Sequence, residues 1–143
     1  ENTSKIDLKA LLNSIKNQFN NDKLIIKNQV NLELKGRYTN LKRSFENVIH
    51  NGLTYGNNVH INVQKGNKKV LIIIDDDGPG IPEDQYKNVF KPFFRLDKSR
   101  SLNQAGVGLG LAIVEDIINS HGGTIQLGKS KLNGLQVKIS LPF

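Results

Sequence analysis

The sequence predicts an α/β (α+β) two-layer sandwich, a mixed β-sheet covered on one face by helices. Three observations carry this expectation. Two stretches repeat apolar residues at helical spacing, Leu8, Leu11, Leu12, Ile15 and Phe19 in one and Phe45, Val48, Ile49 and Leu53 in the other. Val59, Ile61 and Val63 alternate with polar residues, whereas Val70 to Ile74 is apolar on both parities, as a central strand buried on two faces would be. The chain ends in two further strand-like runs, Thr124 to Leu127 and Leu135 to Leu141, joined through Asn133-Gly134. Strands in one sheet and helices with a single apolar stripe need each other as cover.

Each element follows from local chemistry. Asp7 stands just before the first apolar stripe as an N-cap. Lys23 to Lys27 and Val30 to Leu34 are short β-type runs, and the second helix is expected from about Thr39 to Tyr55. Lys65-Gly66-Asn67 reads as the turn of a hairpin between the alternating and the fully apolar strand. The order up to there is αββαββ. After Pro82, residues 83 to 90 suggest a short helix, and residues 91 to 107 show no period. So long an irregular stretch inside a compact domain is usually functional, often a lid. Leu109 to Ser120 is a strongly apolar helix closed by Gly122-Gly123.

Composition narrows the classes. With 143 residues and 37% apolar content, a single domain spanning residues 1–143 is expected, able to bury a core without staples. The net charge of +7 would ordinarily raise nucleic acid or anionic lipid as partners. However, 16 Lys and 4 Arg are scattered beside 18 Asn, which a coding bias explains as well as a binding patch does, so no nucleic-acid partner is expected. No cysteine is present, which removes disulfides, thiolate metal sites and a Cys nucleophile. With neither a signal-type segment nor a long apolar span, the chain reads as a soluble piece of something longer.

The residues that bear chemistry fall in four places. Asn47 and Asn51 lie one helical turn apart, on the side of the second helix away from its apolar stripe. A solvated polar face is one reading of them. Magnesium, which keeps most of its waters and needs only one or two protein oxygens, offers another. Asp75-Asp76-Asp77-Gly78-Pro79-Gly80 leaves the central strand, and its adjacent carboxylates do not match the alternating pattern of a calcium loop. One of the three could simply cap the turn. Gly106-Val107-Gly108-Leu109-Gly110 precedes an apolar helix, where unpaired N–H groups make an anion site. A dinucleotide-binding turn is excluded there because Arg100 to Ala105 is not a strand. Finally, Phe90-Lys91-Pro92-Phe93-Phe94-Arg95 concentrates aromatic residues and a cation between the two glycine stretches.

In this order and spacing, the four stretches resemble the N, first glycine, F and second glycine boxes of the GHKL (HATPase, Bergerat-fold) ATP-binding domain. In particular they resemble the catalytic ATP-binding domain of bacterial two-component sensor histidine kinases of the osmosensor-like kind. The resemblance runs from about Ile6 to Phe143. It implies ATP and Mg²⁺ as cofactors and a mobile ATP lid. Asn51 matches the magnesium ligand, with Asn47 supporting the ion or its waters; Asn47, Asn51 and Arg95 are the implied catalytic residues. Hydrolytic members of the superfamily carry a water-activating Glu at the position of Asn47, so the likeness is to a kinase module. Asp76 matches the carboxylate that accepts from the adenine amine, and Gly78 and Gly80 let the backbone approach the base.

The resemblance also places Tyr55, Ile81 and Phe90 against the nucleotide, Gly106, Val107, Gly108, Leu109 and Gly110 around its phosphates, and Arg95 near the terminal phosphate, with Lys98 and Arg100 nearby. Two positions depart from the pattern: Thr54 stands where a phosphate-contacting cation is frequent, and Val107 where Thr or Ser is usual. The implied partners are the protein's own dimerisation and histidine-phosphotransfer domain, which this chain lacks, and indirectly a response regulator. The full-length protein would be a membrane-anchored homodimer with this domain cytoplasmic. None of His50, His60 and His121 sits in the acidic, Arg- and Pro-containing context of a phosphoacceptor; His121 would lie at a helix C-terminus that favours its charge. An anti-sigma serine kinase of the same fold, a nucleotide-sensing module without transfer, and a basic nucleic-acid-binding domain are the alternatives.

Overall fold

The computed structural model describes residues 1–92 and 110–143. Strands β1 (Ser4–Asp7), β2 (Leu24–Lys27), β3 (Glu33–Gly36), β4 (Val59–Lys65), β5 (Lys69–Asp76), β6 (Thr124–Lys129) and β7 (Leu135–Pro142) alternate with helices α1 (Leu8–Phe19), α2 (Tyr38–Tyr55) and α3 (Leu111–Ser120). Five strands form one sheet in the order β2-β4-β5-β7-β6. The β2–β4 pair is parallel and the remaining pairs are antiparallel, so the sheet is mixed.

The sheet buries one face under the helices. Val59, Ile61 and Val63 of β4, Val70, Ile72 and Ile74 of β5, and Val137, Ile139 and Leu141 of β7 meet Leu11, Leu12 and Ile15 of α1, Leu41, Phe45 and Ile49 of α2, and Val114 and Ile118 of α3 in one apolar cluster. Phe45 is fully buried, and truncating so large a side chain in such a core costs about 3–5 kcal/mol. Residues of the opposite parity, such as His60, Asn62, Gln136 and Lys138, line the other face of the sheet, where they are half-buried.

Local signals explain most boundaries. The Asp7 carboxylate accepts from Ala10 N at 3.1 Å, and Asn20 closes α1 in the left-handed region with φ 47°. Arg37 offers α2 no side-chain cap; the carboxylate of Glu1 accepts instead from Thr39 N at 2.9 Å and Asn40 N at 3.3 Å.

Three expectations need correction. A strand at Ser4–Asp7 precedes α1 and pairs antiparallel with β3, so the order begins βαββ and these two strands form a small separate sheet. The strand expected over Val30 to Leu34 starts only at Glu33: Leu32 is buried by packing, and its carbonyl caps α1 by accepting from Leu8 N at 3.0 Å. Residues 83 to 90 form two single 3₁₀ turns, Glu83–Gln85 and Asn88–Phe90, in place of one helix. The last helix begins at Leu111 with Gly110 as its N-cap; Leu109 and most of the stretch expected as a lid lie outside the described residues.

Candidate nucleotide site

The site is organised along α2. Asn47, Asn51 and Tyr55 recur at intervals of four residues and share one face of the helix, each half-buried. Asn47 Nδ2 donates to the carbonyl of Gly110 at 3.3 Å, which fixes the N-cap of α3 against this face. Gly110 has φ 68°, and a Cβ there would lie 2.6 Å from Asn47 Nδ2, so the position requires glycine twice over. Glu46 points elsewhere: Gln18 Nε2 of α1 donates to its carboxylate at 2.6 Å. Among the described residues, Glu46 therefore does not take the place of a water-activating base beside Asn51 on this face.

Five residues beyond Asn47, α2 touches β5. A Cβ on Gly52 would fall 2.6 Å from Val59 and 3.2 Å from Asp76 Cβ, so a glycine inside the helix is what brings Asp76 against α2. Asp76 Oδ1 accepts from Gly78 N at 2.9 Å and from Leu135 N at 3.1 Å, and the Asp76 carbonyl accepts from Gly134 N at 3.1 Å. Burial raises the pKa of Asp76, with those two backbone bonds pulling the other way and the charges of Asp77 and Asp75 adding to the rise.

The three adjacent carboxylates have three different fates. Asp77 Oδ1 accepts from Asn57 N at 2.7 Å and Asn58 N at 2.8 Å, while its Oδ2 accepts from Asn58 Nδ2 at 2.8 Å. Those bonds from Asn58 and Asn57 bring its pKa down to about 2 and make it the turn-capping residue. Asp75 lies on the far face of the sheet, buried, with Gln136 Nε2 donating to it at 3.2 Å. Only Asp76 faces the α2 side, next to Gly52.

Gly78 packs against the Tyr55 carbonyl, Gly80 takes φ 72° beside Gly134, and Ile81 and Phe90 pack partly buried on the core. The turn carrying Phe90 lies against α3. The structure thus gathers Asn47, Asn51, Tyr55, Asp76, Gly78, Gly80, Ile81, Phe90 and Gly110 around α2, the β5 turn and the start of α3. Arg95, Gly106, Val107, Gly108 and Leu109, together with Lys98 and Arg100, lie outside the described residues.

Sequence reading missed Gly52, Gly56 and Gly134. A Cβ on Gly134 would sit 2.2 Å from Asp76 Oδ1 and 2.6 Å from Gly78 N, and one on Gly56 2.7 Å from Asp77 Oδ1. The signal for Gly52 was available, since glycine within a helix costs about 1 kcal/mol relative to alanine and marks a close approach. In the sequence, Gly134 reads as hairpin chemistry alone.

The glycine cradle fits a nucleotide. Gly52 and Gly134 clear the approach to one half-buried carboxylate, and at the other end α3 starts from Gly110, an N-cap with no side chain of its own to occupy the first N–H groups. Asn47 and Asn51 supply hard carboxamide oxygens between them, suited to magnesium, whereas no group of three or more His, Cys, Asp and Glu able to hold a metal occurs among the described residues.

Residues 36–143 match the family of histidine kinase-, DNA gyrase B- and HSP90-like ATPases. The chain belongs to this family. Among curated relatives it is 34% identical over 143 residues to the sensor histidine kinase GtrS of Pseudomonas aeruginosa, covering 99% of this chain and 29% of that protein. It is 36% identical over 111 residues to the sensor histidine kinase CpxA of Escherichia coli, covering 77% of this chain and 24% of that protein. It therefore spans about a quarter to under a third of the length of these relatives.

The histidine kinase domain of the E. coli osmosensor EnvZ superposes with a TM-score of 0.72 at 31% identity, over 97% of this chain and 88% of that one. The catalytic domain of the histidine kinase ThkA superposes with a TM-score of 0.83 at 24% identity, over 99% and 96%, and bears on the fold alone. Membership of the family makes this chain an ATP-binding domain. Among the described residues, no helix is long and apolar enough to cross a membrane.

Proposed function

We propose that this chain binds Mg-ATP along α2 and donates the γ-phosphate to a histidine on the dimerisation domain of a sensor histidine kinase, for relay to a response regulator. The observation that carries this reading is the double contact of α2, with Gly110 through Asn47 and with Asp76 through Gly52. Five residues of helix separate the two contacts, about 7.5 Å along the axis, which suits a nucleotide lying with its base at one end and its phosphates at the other.

In this arrangement Asp76 accepts from the adenine amine, held in place by the Gly78 and Leu135 N–H groups. The same carboxylate would face an oxygen in guanine, so ATP is selected over GTP. Asn51 is the protein ligand of the magnesium ion, and the ion when bound offsets charge on the phosphates. The first N–H groups of α3, with Gly106, Val107, Gly108 and Leu109 before them, hold the phosphate oxygens, and Arg95 approaches the terminal phosphate. Tyr55, Ile81 and Phe90 flank the nucleotide.

With Asn47 at the place of a general base, water is not activated. The acceptor is an imidazole nitrogen of the partner domain, which forms a P–N bond as the bond from the γ-phosphorus to the ADP oxygen breaks. The whole protein is proposed to be a membrane-anchored homodimer with this domain in the cytoplasm.

The test is Asn51→Ala. Magnesium-dependent ATP affinity and phosphotransfer to an added dimerisation domain should both be lost while the circular dichroism spectrum is kept. Unchanged Mg-ATP binding by that variant would remove the assignment.

A further inference from the structure

At the end of α3 away from Gly110, one imidazole joins two helices. His121 Nδ1 lies 2.7 Å from the Ile117 carbonyl, and His121 Nε2 accepts from Arg37 N at 3.0 Å. Ile117 is in the last turn of α3, whose carbonyls have no intrahelical partner, and Arg37 is the N-cap of α2, which provides no side-chain cap of its own. Only a neutral imidazole with the proton on Nδ1 can serve both groups at once. Ser120 reinforces the join: its Oγ donates to the same Ile117 carbonyl at 2.7 Å and accepts from Arg37 Nη2 at 2.5 Å. A Cβ on Gly36 would lie 2.8 Å from His121 Cδ2, so the glycine that ends β3 leaves the room the ring occupies.

We propose that His121 is a positioning residue for the phosphate half of the nucleotide site, latching the far end of α3 to the start of α2. Among the described residues, Asn47 to Gly110 at 3.3 Å and the His121–Ser120–Arg37 group hydrogen-bond α3 to α2, at opposite ends of α3 and beside their shared apolar packing. A ten-residue helix is about 15 Å long, so with the latch lost a tilt of about 10° about the Asn47–Gly110 contact carries the far end by roughly 2.5 Å and turns the first N–H groups through the same angle. Phosphate binding by those N–H groups depends on their aim. Asp76, on β5 and braced by Gly134 and Leu135, does not depend on the latch. The inference rests on the proposed orientation of the nucleotide, and it divides the two halves of the ligand between two supports.

The experiment compares ATP with adenosine as probes on the folded chain. His121→Ala should weaken ATP on the order of tenfold while leaving adenosine affinity unchanged. His121→Gln, which can still accept from Arg37 N–H but cannot hold both bonds, should fall between the two, and it carries the same comparison should the alanine variant not fold. A general loss of stability would weaken both probes equally, and that result would overturn the positioning role, as would an unaltered ATP affinity. Failure of the nucleotide reading itself is distinguishable, because the unsubstituted chain would then bind neither probe.

Discussion

Asp76 and Asp77 are neighbours with opposite environments, and their opposite pKa shifts lead to opposite pH dependences. For Asp77 the folded-state value of about 2 lies below the ordinary 3.8, so its hydrogen bonds stabilise the fold above pH 3.8 and are lost as pH falls toward 2. For Asp76 the folded-state value is raised by burial, so folding favours its protonated form; that contribution is present at low pH and is lost as pH rises through the raised value. In the proposed function, adenine recognition requires the carboxylate. On acidification, ATP affinity should therefore fall before the fold does, and Asp76→Asn should flatten that acid limb, as titrations of affinity and of circular dichroism against pH would register. A coincident loss of both would contradict the separation of roles. Gly134→Ala offers a second check at this scale. Its Cβ would press on Asp76 Oδ1 at 2.2 Å, so it should erode the preference for ATP over GTP as well as lower stability, overpacking of this kind costing about 1–3 kcal/mol. An unchanged ATP-to-GTP ratio in a folded Gly134→Ala variant would mean that the hairpin plays no part in orienting the carboxylate.

Among the elements, α2 carries both support and, in the proposed function, recognition, and the loop that follows it depends on Asp77. Asp77→Ala removes acceptors from the backbone N–H groups of Asn57 and Asn58, so it should lower thermal stability by about 1–3 kcal/mol. Asp76→Ala, in contrast, should act mainly on binding, and thermal melts of the two variants side by side distinguish a structural carboxylate from a ligand-facing one. Helices α1 and α2 and strands β4 and β7 were legible in the sequence because each buries one face and the period of its apolar residues survives any tertiary context, and β5 because its apolar run is buried on both parities. Strand β1 was not: Ser4–Asp7 has one apolar residue, Ile6, and is a strand only because β3 pairs with it. The motif residues were legible as types at spacings, which is why Asn47, Asp76 and Gly110 could be named; that Asn47 bonds to Gly110 and that Gly134 abuts Asp76 depend on contacts across 63 and 58 residues of chain, which no local pattern encodes.

For the whole molecule, the proposed function divides the labour: this chain holds the nucleotide, and another domain would present the acceptor. Its histidines are otherwise engaged or wrongly placed. His121 latches two helices, His60 sits on the sheet with its pKa lowered by burial and by the charges of Lys27 and Lys131, and His50 is exposed on α2 beside Thr54. The chain alone should accordingly incorporate no stable label from γ-labelled ATP and release little free phosphate, whereas adding the cognate dimerisation domain should yield acid-labile phosphohistidine on that partner. The central claim, a Mg-ATP site with its base on Asp76, is tested most directly by calorimetric titration of the chain and of Asp76→Ala with ATP and GTP, with and without magnesium. Saturable 1:1 ATP binding strengthened by magnesium is expected, with GTP much weaker and Asp76→Ala losing on the order of 10- to 100-fold in ATP affinity. Equal affinities for ATP and GTP, or an Asp76→Ala variant that binds ATP as well as the unsubstituted chain, would contradict it.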